Sequence, residues 1–588
     1  MTQQIINIGS IPNDGTGDPA RTAFTKVNSN FTELYAANTT LTSSSGSSLV
    51  GFLQSGTGAT APTVQAKLRE TISALDFGAD PTGVADSTTA LQAGLTAVGN
   101  AGGGIFFIPT GTYKVTNTLL IPSDVMVRGA GRQATILSSP AGTYAGKSVE
   151  GSNVYATLAM AAVSNASVYS LTVDHTTGAV NANGIVIVAG NAGLGTASNN
   201  CAIVDCEVKF GSSPGHTYLI WSLASTGSKI LYNYVDGGVT TNTPGTEEGI
   251  EAYGGTDTLI EGNTVKNCDN NGIYVWVDSG SALNLLNTRI VNNYVTKCQQ
   301  GIYVQSSTTV KNCLVANNNI DACWNTSISL TYGSGCTISG VTIANNTTNA
   351  SKSGVYIYGD AAATLQENIV VSGNNIVATT DASSASIQTT NASNINILNN
   401  VIKSATSRGM FISSGSNIAI KENYIDTCQT VGIYCYVLTR TTIFGNTVRE
   451  WNRSNTSVAG IYFDTCTSAH VDCNDFYIST NLYYPIYVPS TASDRIHIGT
   501  GNNLLYSSSG NPIYRNDGTN PNRGTFTLTA ASTSKTISTT CVNNGTTVSV
   551  WQTGGAALKP FFLTQAGGSF TLTYAAATGD ETFQWIAQ

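Results

Sequence analysis

A short phrase recurs along the middle of the chain: Gly, then Ile or a similar residue, then an apolar alternation. It reads GIEA at 249, GIYV at 272, GIYV at 301, GVYI at 354, GMFI at 409, GIYC at 432 and GIYF at 460. An Asn inside an apolar run follows each phrase. The interval is 13 residues from Ile250 to Asn263, and again from Ile220 to Asn233, Ile387 to Asn400, Met410 to Asn423, Ile433 to Asn446 and Ile461 to Asn474. Longer intervals read as loops inserted into the same unit. The repeat length starts at 23 residues, from Gly249 to Gly272 and from Gly409 to Gly432. Such a period builds a solenoid of two or three strands per coil, in which each coil touches only its neighbours. Asn263, Asn293, Asn319, Asn400, Asn423 and Asn446 are expected to stack at one corner, each amide bonding to the next coil, as identical amides do in cross-β stacks.

Composition agrees with an all-β solenoid. Charged residues make up only 10% of the chain, and Gly, Ser, Thr and Asn take their place, which suits many turns. Disorder is excluded over most of the length by a 41% hydrophobic content. A chain of 588 residues exceeds what one core usually holds, so more than one domain is expected. The formal net charge of −8 opposes nonspecific nucleic-acid binding and suits a neutral or weakly charged partner such as a glycan. No run of 18 apolar residues exists, so no membrane span is expected. Met1-Thr-Gln-Gln lacks a basic start and no apolar run follows it, so no signal peptide is expected. The 12 cysteines include no C-x-x-C pair and read as reduced, buried thiols. No metal and no cofactor is predicted.

Five segments follow from patterning. Residues 1–37 form a small module: Asp14-Gly15-Thr16-Gly17 is a turn, Asp18 reads as an N-cap and Pro19 as the first helical residue. Ala23, Phe24, Val27, Phe31, Leu34 and Tyr35 then form a helical stripe that must pack on something. A self-trimer, a docking partner and the chain's own Ile5–Ile11 stretch all remain open. Residues 38–73 read as a linker or neck, rich in Ser, Thr and Gly. Residues 74–483 hold the solenoid. It opens with a helix capped by Asp86 or Ser87, whose Ala90, Leu91, Gly94, Leu95 and Val98 would cover the end of the core. Residues 484–524 read as a Pro/Asn/Gly-rich connector, and 525–588 as a small β-sandwich or trimeric cap of about six strands.

The stretch ALDFGADPTG followed by FIPTGTY, Phe107 to Tyr113, resembles the start of pectate-lyase-like right-handed β-helix domains. The N-terminal NIGSIPNDGTGDPARTAFTKVNSNFTELY resembles attachment modules of bacteriophage tail proteins. Together they resemble a phage tailspike or tail fibre over nearly the whole chain. That resemblance implies a right-handed parallel β-helix in a homotrimer, carried on the virion and assembled in the host cytoplasm. Residues 1–37 would dock on a phage tail, baseplate or adaptor protein, and the partner outside would be a bacterial surface polysaccharide. The family supplies no strict carboxylate motif, so site residues must come from geometry.

Aligned coils put Ile220, Ile250, Ile273, Ile302, Ile328, Val355, Ile387, Met410, Ile433 and Ile461 in one inward column. The next residue of a strand points out. That outward column reads Trp221, Glu251, Tyr274, Tyr303, Ser329, Tyr356, Gln388, Phe411, Tyr434 and Tyr462, and a second holds Tyr253, Trp276, Tyr358, Tyr436 and Asp464. An exposed aromatic stripe suits either an extended polysaccharide or a contact between chains. Trp221, Tyr253, Tyr274, Trp276, Tyr303, Tyr356, Tyr358 and His216 are the candidate substrate-binding residues.

The stretch TEEGIEAYGG, Thr246 to Gly255, concentrates Glu247, Glu248 and Glu251 in a chain with only 34 Asp and Glu. An acid among aromatics has a raised pKa, as a general acid requires. Glu251 is therefore the candidate acid for glycoside hydrolysis, with Asp278 or Glu248 activating water. The Cα atoms of Glu251 and Asp278 are expected ~14 Å apart, so that leaning side chains approach the separation used by inverting enzymes. Asp269, Asp360 and Asp464 stand in reserve. The alternatives are a receptor-binding fibre that does not cut, and a polysaccharide lyase, which ranks lower because the outward columns hold almost no Lys or Arg.

Overall fold

The structure is a computed structural model. It describes residues 3–140, 144–176, 183–191, 195–211, 218–239, 244–360, 365–377, 379–451, 453, 459–477, 484–488, 493, 495–499, 501–505, 513–515, 523–528, 533–538, 548–554, 561–566, 569–574 and 580–587. Two long parallel sheets, of 33 and 16 strands, wind around one apolar core. A typical coil runs Gln300–Ser306, Thr309–Lys311 and Leu314–Ala316 in the larger sheet, then Asn319–Asp321 in the smaller. Each strand pairs in parallel with its counterpart one coil on. The inward column pairs in register from Ile220 through Ile250, Ile273, Ile302, Ile328, Val355, Ile387, Met410 and Ile433 to Ile461, and every member is fully buried.

The glycine of the recurring phrase has a steric cause. A Cβ at Gly249 would stand 2.4 Å from Val265 Cγ1 and 3.0 Å from Cys268 Sγ, both core side chains. Gly249 and Ile250 therefore both face inward, and strict alternation breaks at this corner. The same break recurs at Gly272, whose Cβ would meet Val295, and at Gly432, whose Cβ would meet Val448. It places the residue before the glycine on the outer wall, together with the residue after the isoleucine.

Asparagines stack at the corner leading into the smaller sheet. The ladder is Asn233, Asn263, Asn293, Asn318, Asn346, Asn374, Asn400, Asn423, Asn446, Asn474 and Asn502. From Asn263 onward each Oδ1 accepts the backbone N–H and an Nδ2–H of the Asn one coil earlier, at 2.9–3.1 Å, and the Asn233 Oδ1 accepts the Cys206 backbone N–H. The sequence reading put Asn319 in this ladder; the member is Asn318. The residue before each rung from Asn233 to Asn474 takes a left-handed backbone, at φ 59° for Asn292 and 56° for Asn317, and that turn aims the following amide inward. In the run Asn317–Asn319 the turn falls on the first Asn, so the third begins the next strand and is exposed.

At the N-terminal end, helix α1 (Ala20–Leu41) extends into the stretch read as linker. Pro19 occupies the N-cap position, and Asp18 instead pairs with Lys26 at 2.6 Å. The helix buries none of its residues; Phe24, Phe31, Leu34 and Tyr35 are exposed, and so are Ile5, Ile8 and Ile11. The Ile5–Ile11 stretch therefore does not cover the stripe. A short helix α2 (Val64–Leu68) follows. The larger sheet begins at Thr71–Ser73, before the expected start at 74. Helix α3 (Thr88–Asn100) buries Leu91, Gly94, Leu95 and Val98 over the first coils.

The expected connector at 484–524 carries further coil strands, Ile486–Val488, His497–Ile498, Asn503–Leu505 and Ile513–Arg515. Beyond it, Arg523–Leu528, Glu581–Ala587 and Val548–Gly554 form one antiparallel sheet, and Ser534–Ser538, Ser569–Tyr574 and Phe561–Ala566 another. Leu528, Phe570, Leu572, Phe583 and Trp585 form the core the two sheets share. Ten of the eleven described cysteines are buried, all eleven are free thiols, and Cys473 is exposed. Among the described residues no helix is long and apolar enough to cross a membrane.

Candidate active site

The outer wall that carries the acids is built from strands Tyr218–Thr226, Glu248–Thr256, Asn271–Val277, Gln300–Ser306, Thr326–Tyr332 and Ser353–Gly359. Register places Trp221 beside Glu251, Glu251 beside Tyr274, Tyr274 beside Tyr303, Tyr303 beside Ser329, and Ser329 beside Tyr356. The second outward column runs from Tyr253 to Trp276, Gln305, Thr331 and Tyr358. Both columns follow the sequence reading. Tyr274 stacks on Tyr303 at 5.1 Å between ring centroids and on Trp276 at 5.3 Å, and Tyr253 meets Trp276 edge-on at 4.6 Å.

The three glutamates of TEEGIEAYGG divide between two environments. Because Gly249 and Ile250 both turn inward, Glu248 and Glu251 share the outer wall. Glu251 is 2% exposed and accepts the Trp221 Nε1–H at 3.0 Å. Burial pushes its carboxyl up to about 8, with the Trp276 and Trp221 indoles drawing it part of the way back. The Trp276 N–H faces this region buried, without an acceptor in hydrogen-bonding geometry. Glu248 is 4% exposed and accepts from Asn270 Nδ2 at 2.8 Å, Asn271 N at 2.9 Å and Asn271 Nδ2 at 3.2 Å. Burial raises it well above the ordinary carboxylate range, and the charge of Glu251 adds to the rise. Two such neighbours cannot both ionise cheaply, so they titrate as a pair that holds a proton at neutral pH.

Glu247 turns toward the corner, where Gly237 lies against its Oε1. Burial and then the Asp269 charge push it up to about 9, and that Oε1 has no partner. Asp269 is half-buried, accepts the Glu247 N–H at 2.7 Å, and is raised by burial. Asp278 stands past the end of its strand, exposed, and accepts the Tyr253 hydroxyl at 2.6 Å. Glu251 is thus held by Trp221 and Asp278 by Tyr253, with no shared partner. Asp464 accepts the Tyr434 hydroxyl at 3.3 Å, many coils away. Asp360 follows the strand Ser353–Gly359. Tyr356 is half-buried and Tyr358 exposed. His216 lies outside the described residues.

Sequence reasoning missed Tyr218. It stacks on Trp221 at 4.8 Å, and burial together with the charges of Glu251 and Glu248 holds its phenol well above the usual range. Strict alternation from Ile220 would turn Tyr218 inward. The bulky pair Leu219–Ile220, equivalent to Gly249–Ile250, was the available signal for the corner break. Among the described residues no group of three or more His, Cys, Asp or Glu forms a metal-ligand set.

Two family models match the chain in succession: Rhamnogalacturonase A/epimerase, pectate lyase-like, over residues 71–325, and Right handed beta helix region over 311–476. Both matches agree with the parallel β-helix of the fold. Among solved structures, the tailspike protein of E. coli bacteriophage HK620 in complex with a pentasaccharide aligns at a TM-score of 0.57. The alignment has 15% identity and covers 94% of this chain and 100% of that one. A double mutant of the same tailspike with a pentasaccharide aligns at a TM-score of 0.58 and 14% identity, with the same coverage of both chains. The chain shares the β-helix fold of that tailspike. Two curated relatives match locally: the tail spike protein of Shigella phage Sf6, 38% identical over 96 residues, and Alginate lyase 7 of Azotobacter vinelandii, 39% identical over 69. These matches span 15% and 8% of the respective relatives' own lengths, and 16% and 10% of this chain.

Proposed function

We propose that the chain is a virion-borne tailspike that binds a bacterial surface polysaccharide, whether capsule, O-antigen or exopolysaccharide, and cuts it internally by glycoside hydrolysis. Residues 1–37 attach it to a phage tail, baseplate or adaptor protein, and three copies assemble. The exposed stripe of α1 supports an assembly of this kind, since an apolar helix face of that size needs cover. The observation that carries the enzymatic reading is Glu251: a carboxyl held protonated by burial, hydrogen-bonded to Trp221 and set into an aromatic wall.

In this reading a sugar ring lies against Tyr274 and Trp276, whose parallel faces meet its C–H groups. Glu251 donates its proton to the leaving glycosidic oxygen. A pKa near the operating pH suits that task. The charge left on Glu251 is received by the Trp221 N–H and by the unpartnered Trp276 N–H. Two carboxylates compete to activate water. Glu248 has three N–H donors to support its ionised form, and Asp278 has the Tyr253 hydroxyl and access to solvent. Their separate Asn and Gln variants distinguish them. A lyase would need a base and a cation beside a uronate, and among the described residues the outward columns around Glu251 hold neither Lys nor Arg.

A second reading, a receptor-binding fibre that does not cut, is favoured by the depth of the acids: at 2% and 4% exposure, Glu251 and Glu248 lie beneath the rings. Incubating the purified chain with capsule and O-antigen from candidate hosts, and following polymer length, decides between them. Shortening supports the hydrolase; stable binding without shortening supports the fibre.

A further inference from the structure

Three coils beyond Glu251 the aromatic column is interrupted by Ser329, with Tyr303 on one side and Tyr356 on the other. The gap opens a cleft of about 360 Å³ on the same outer wall. Tyr303 and Tyr356 sit two coils apart, which separates their backbones by ~9.6 Å. A ring in van der Waals contact with an aromatic face on each side needs ~7–8 Å. Tyr303 is pinned to Thr331 at 2.9 Å and Tyr356 is half-buried, so the spacing is held before anything binds. A preformed slot avoids the ordering cost of closing flexible side chains on a ligand.

The lining is polar but carries no charged side chain. Ser329 Oγ donates to Gln300 Oε1 at 3.0 Å, which occupies that carbonyl, while the amide N–H groups of Gln300, on the cleft lining, make no hydrogen bond among the described residues. The side-chain amides of Asn325 and Gln388, on the same lining, make no hydrogen bond among the described residues. Uncharged donors and acceptors around an aromatic slot match the hydroxyls of a neutral sugar ring. A uronate there would lose water without gaining a cation.

We propose that this cleft is a subsite for one neutral pyranose residue of the bound glycan, sandwiched between Tyr303 and Tyr356 and read by the amides of Gln300, Asn325 and Gln388. The inference rests on the glycan-binding reading above and adds to it that recognition reaches at least ~14 Å along the wall from Glu251. Neutral oligosaccharides too short to span that distance bind weakly for this reason.

The test uses the full chain on an array of neutral and uronate-bearing bacterial O-antigen oligosaccharides of graded length, with light scattering and melting as controls. Ser329→Tyr fills the slot with the side chain that neighbouring coils already carry at this column, so the fold is expected to survive. Wild type should favour longer neutral glycans, S329Y should lose about 10- to 100-fold in affinity for them, and Gln300→Ala should lose several-fold without added bulk. Equal binding of longer neutral glycans by wild type and S329Y overturns the subsite and leaves the glycan reading standing. So does a preference for uronate-bearing glycans, or an S329Y that changes oligomeric state while binding neutral glycans unchanged. A wild-type chain that binds nothing on the array while remaining folded overturns the glycan reading and the subsite with it.

Discussion

Replacing Asn318 by Ala removes four hydrogen bonds from the buried ladder. Its Oδ1 accepts from Asn293 N at 2.9 Å and Asn293 Nδ2 at 3.0 Å, and its Nδ2 donates to Ile290 O and Asn346 Oδ1, both at 2.9 Å. After truncation the Asn293 backbone N–H has no acceptor, and the Ile290 carbonyl loses the amide's donor. Asn293 Nδ2 keeps Ile260 O, and Asn346 Oδ1 keeps the Asn318 backbone N–H. The Ile290 carbonyl keeps its ladder partner on the paired strand Leu314–Ala316, so one orphaned buried N–H, at about 1–3 kcal/mol, together with the other bonds lost predicts a loss on the order of 2–4 kcal/mol. Asn319→Ala is the internal control: one residue along, exposed, and expected to change stability by less than about 0.5 kcal/mol. Large β-solenoids unfold slowly and often irreversibly, so the assay compares unfolding rates in guanidinium across a denaturant series, with hydrogen exchange at the Asn293 amide as a local readout. Equal rates for N318A and wild type, or a comparable acceleration in N319A, would refute the ladder's register and its energetic role.

The buried carboxyls predict a pH dependence of stability with a definite sign. Glu251 is raised to about 8 and Glu247 to about 9, so the folded chain binds more protons than the unfolded chain above the ordinary value of 4.5. Their contribution is full below about 4.5 and is lost as pH rises toward 9; unfolding rates measured across that range should increase, and Glu247→Gln should flatten the profile. Deleting residues 1–64 should leave folding and any glycan cleavage intact, because no described residue before Ile72 joins the main core; loss of cleavage by a soluble, trimeric truncated chain would refute the separateness of that module. Light scattering of the full chain should give a trimer, and a stable 61.1 kDa monomer at micromolar concentration would count against it.

The solenoid was legible because its rule is local: an inward Ile every coil, an Asn a fixed distance on, and turns between them. The two outward columns followed directly, since they needed only parity from Ile250. What parity alone could not give was the corner. Gly249 faces the core for a steric reason that appears only when the opposite strand, with Val265, is in place. That hidden second inward residue put Tyr218 and Glu248 on the wall, where strict alternation from Ile220 and Ile250 would have turned them in. The asparagine run 317–319 failed for a related reason, because only the backbone turn at Asn317 decides which of three identical side chains enters the ladder. The depth of Glu251 and Glu248 was also beyond the sequence, since it depends on rings contributed by neighbouring coils.

The central claim is that Glu251 supplies the proton that breaks the glycosidic bond. Glu251→Gln keeps the shape and can still accept from the Trp221 indole, but cannot donate an acidic proton. Release of new reducing ends from a bound bacterial polysaccharide, at saturating substrate, measures the consequence directly. The account predicts a fall of about 10²–10⁴ in rate with glycan affinity unchanged. Cleavage by E251Q at the wild-type rate would contradict it and remove the acid of the TEEGIEAYGG stretch from the chemistry.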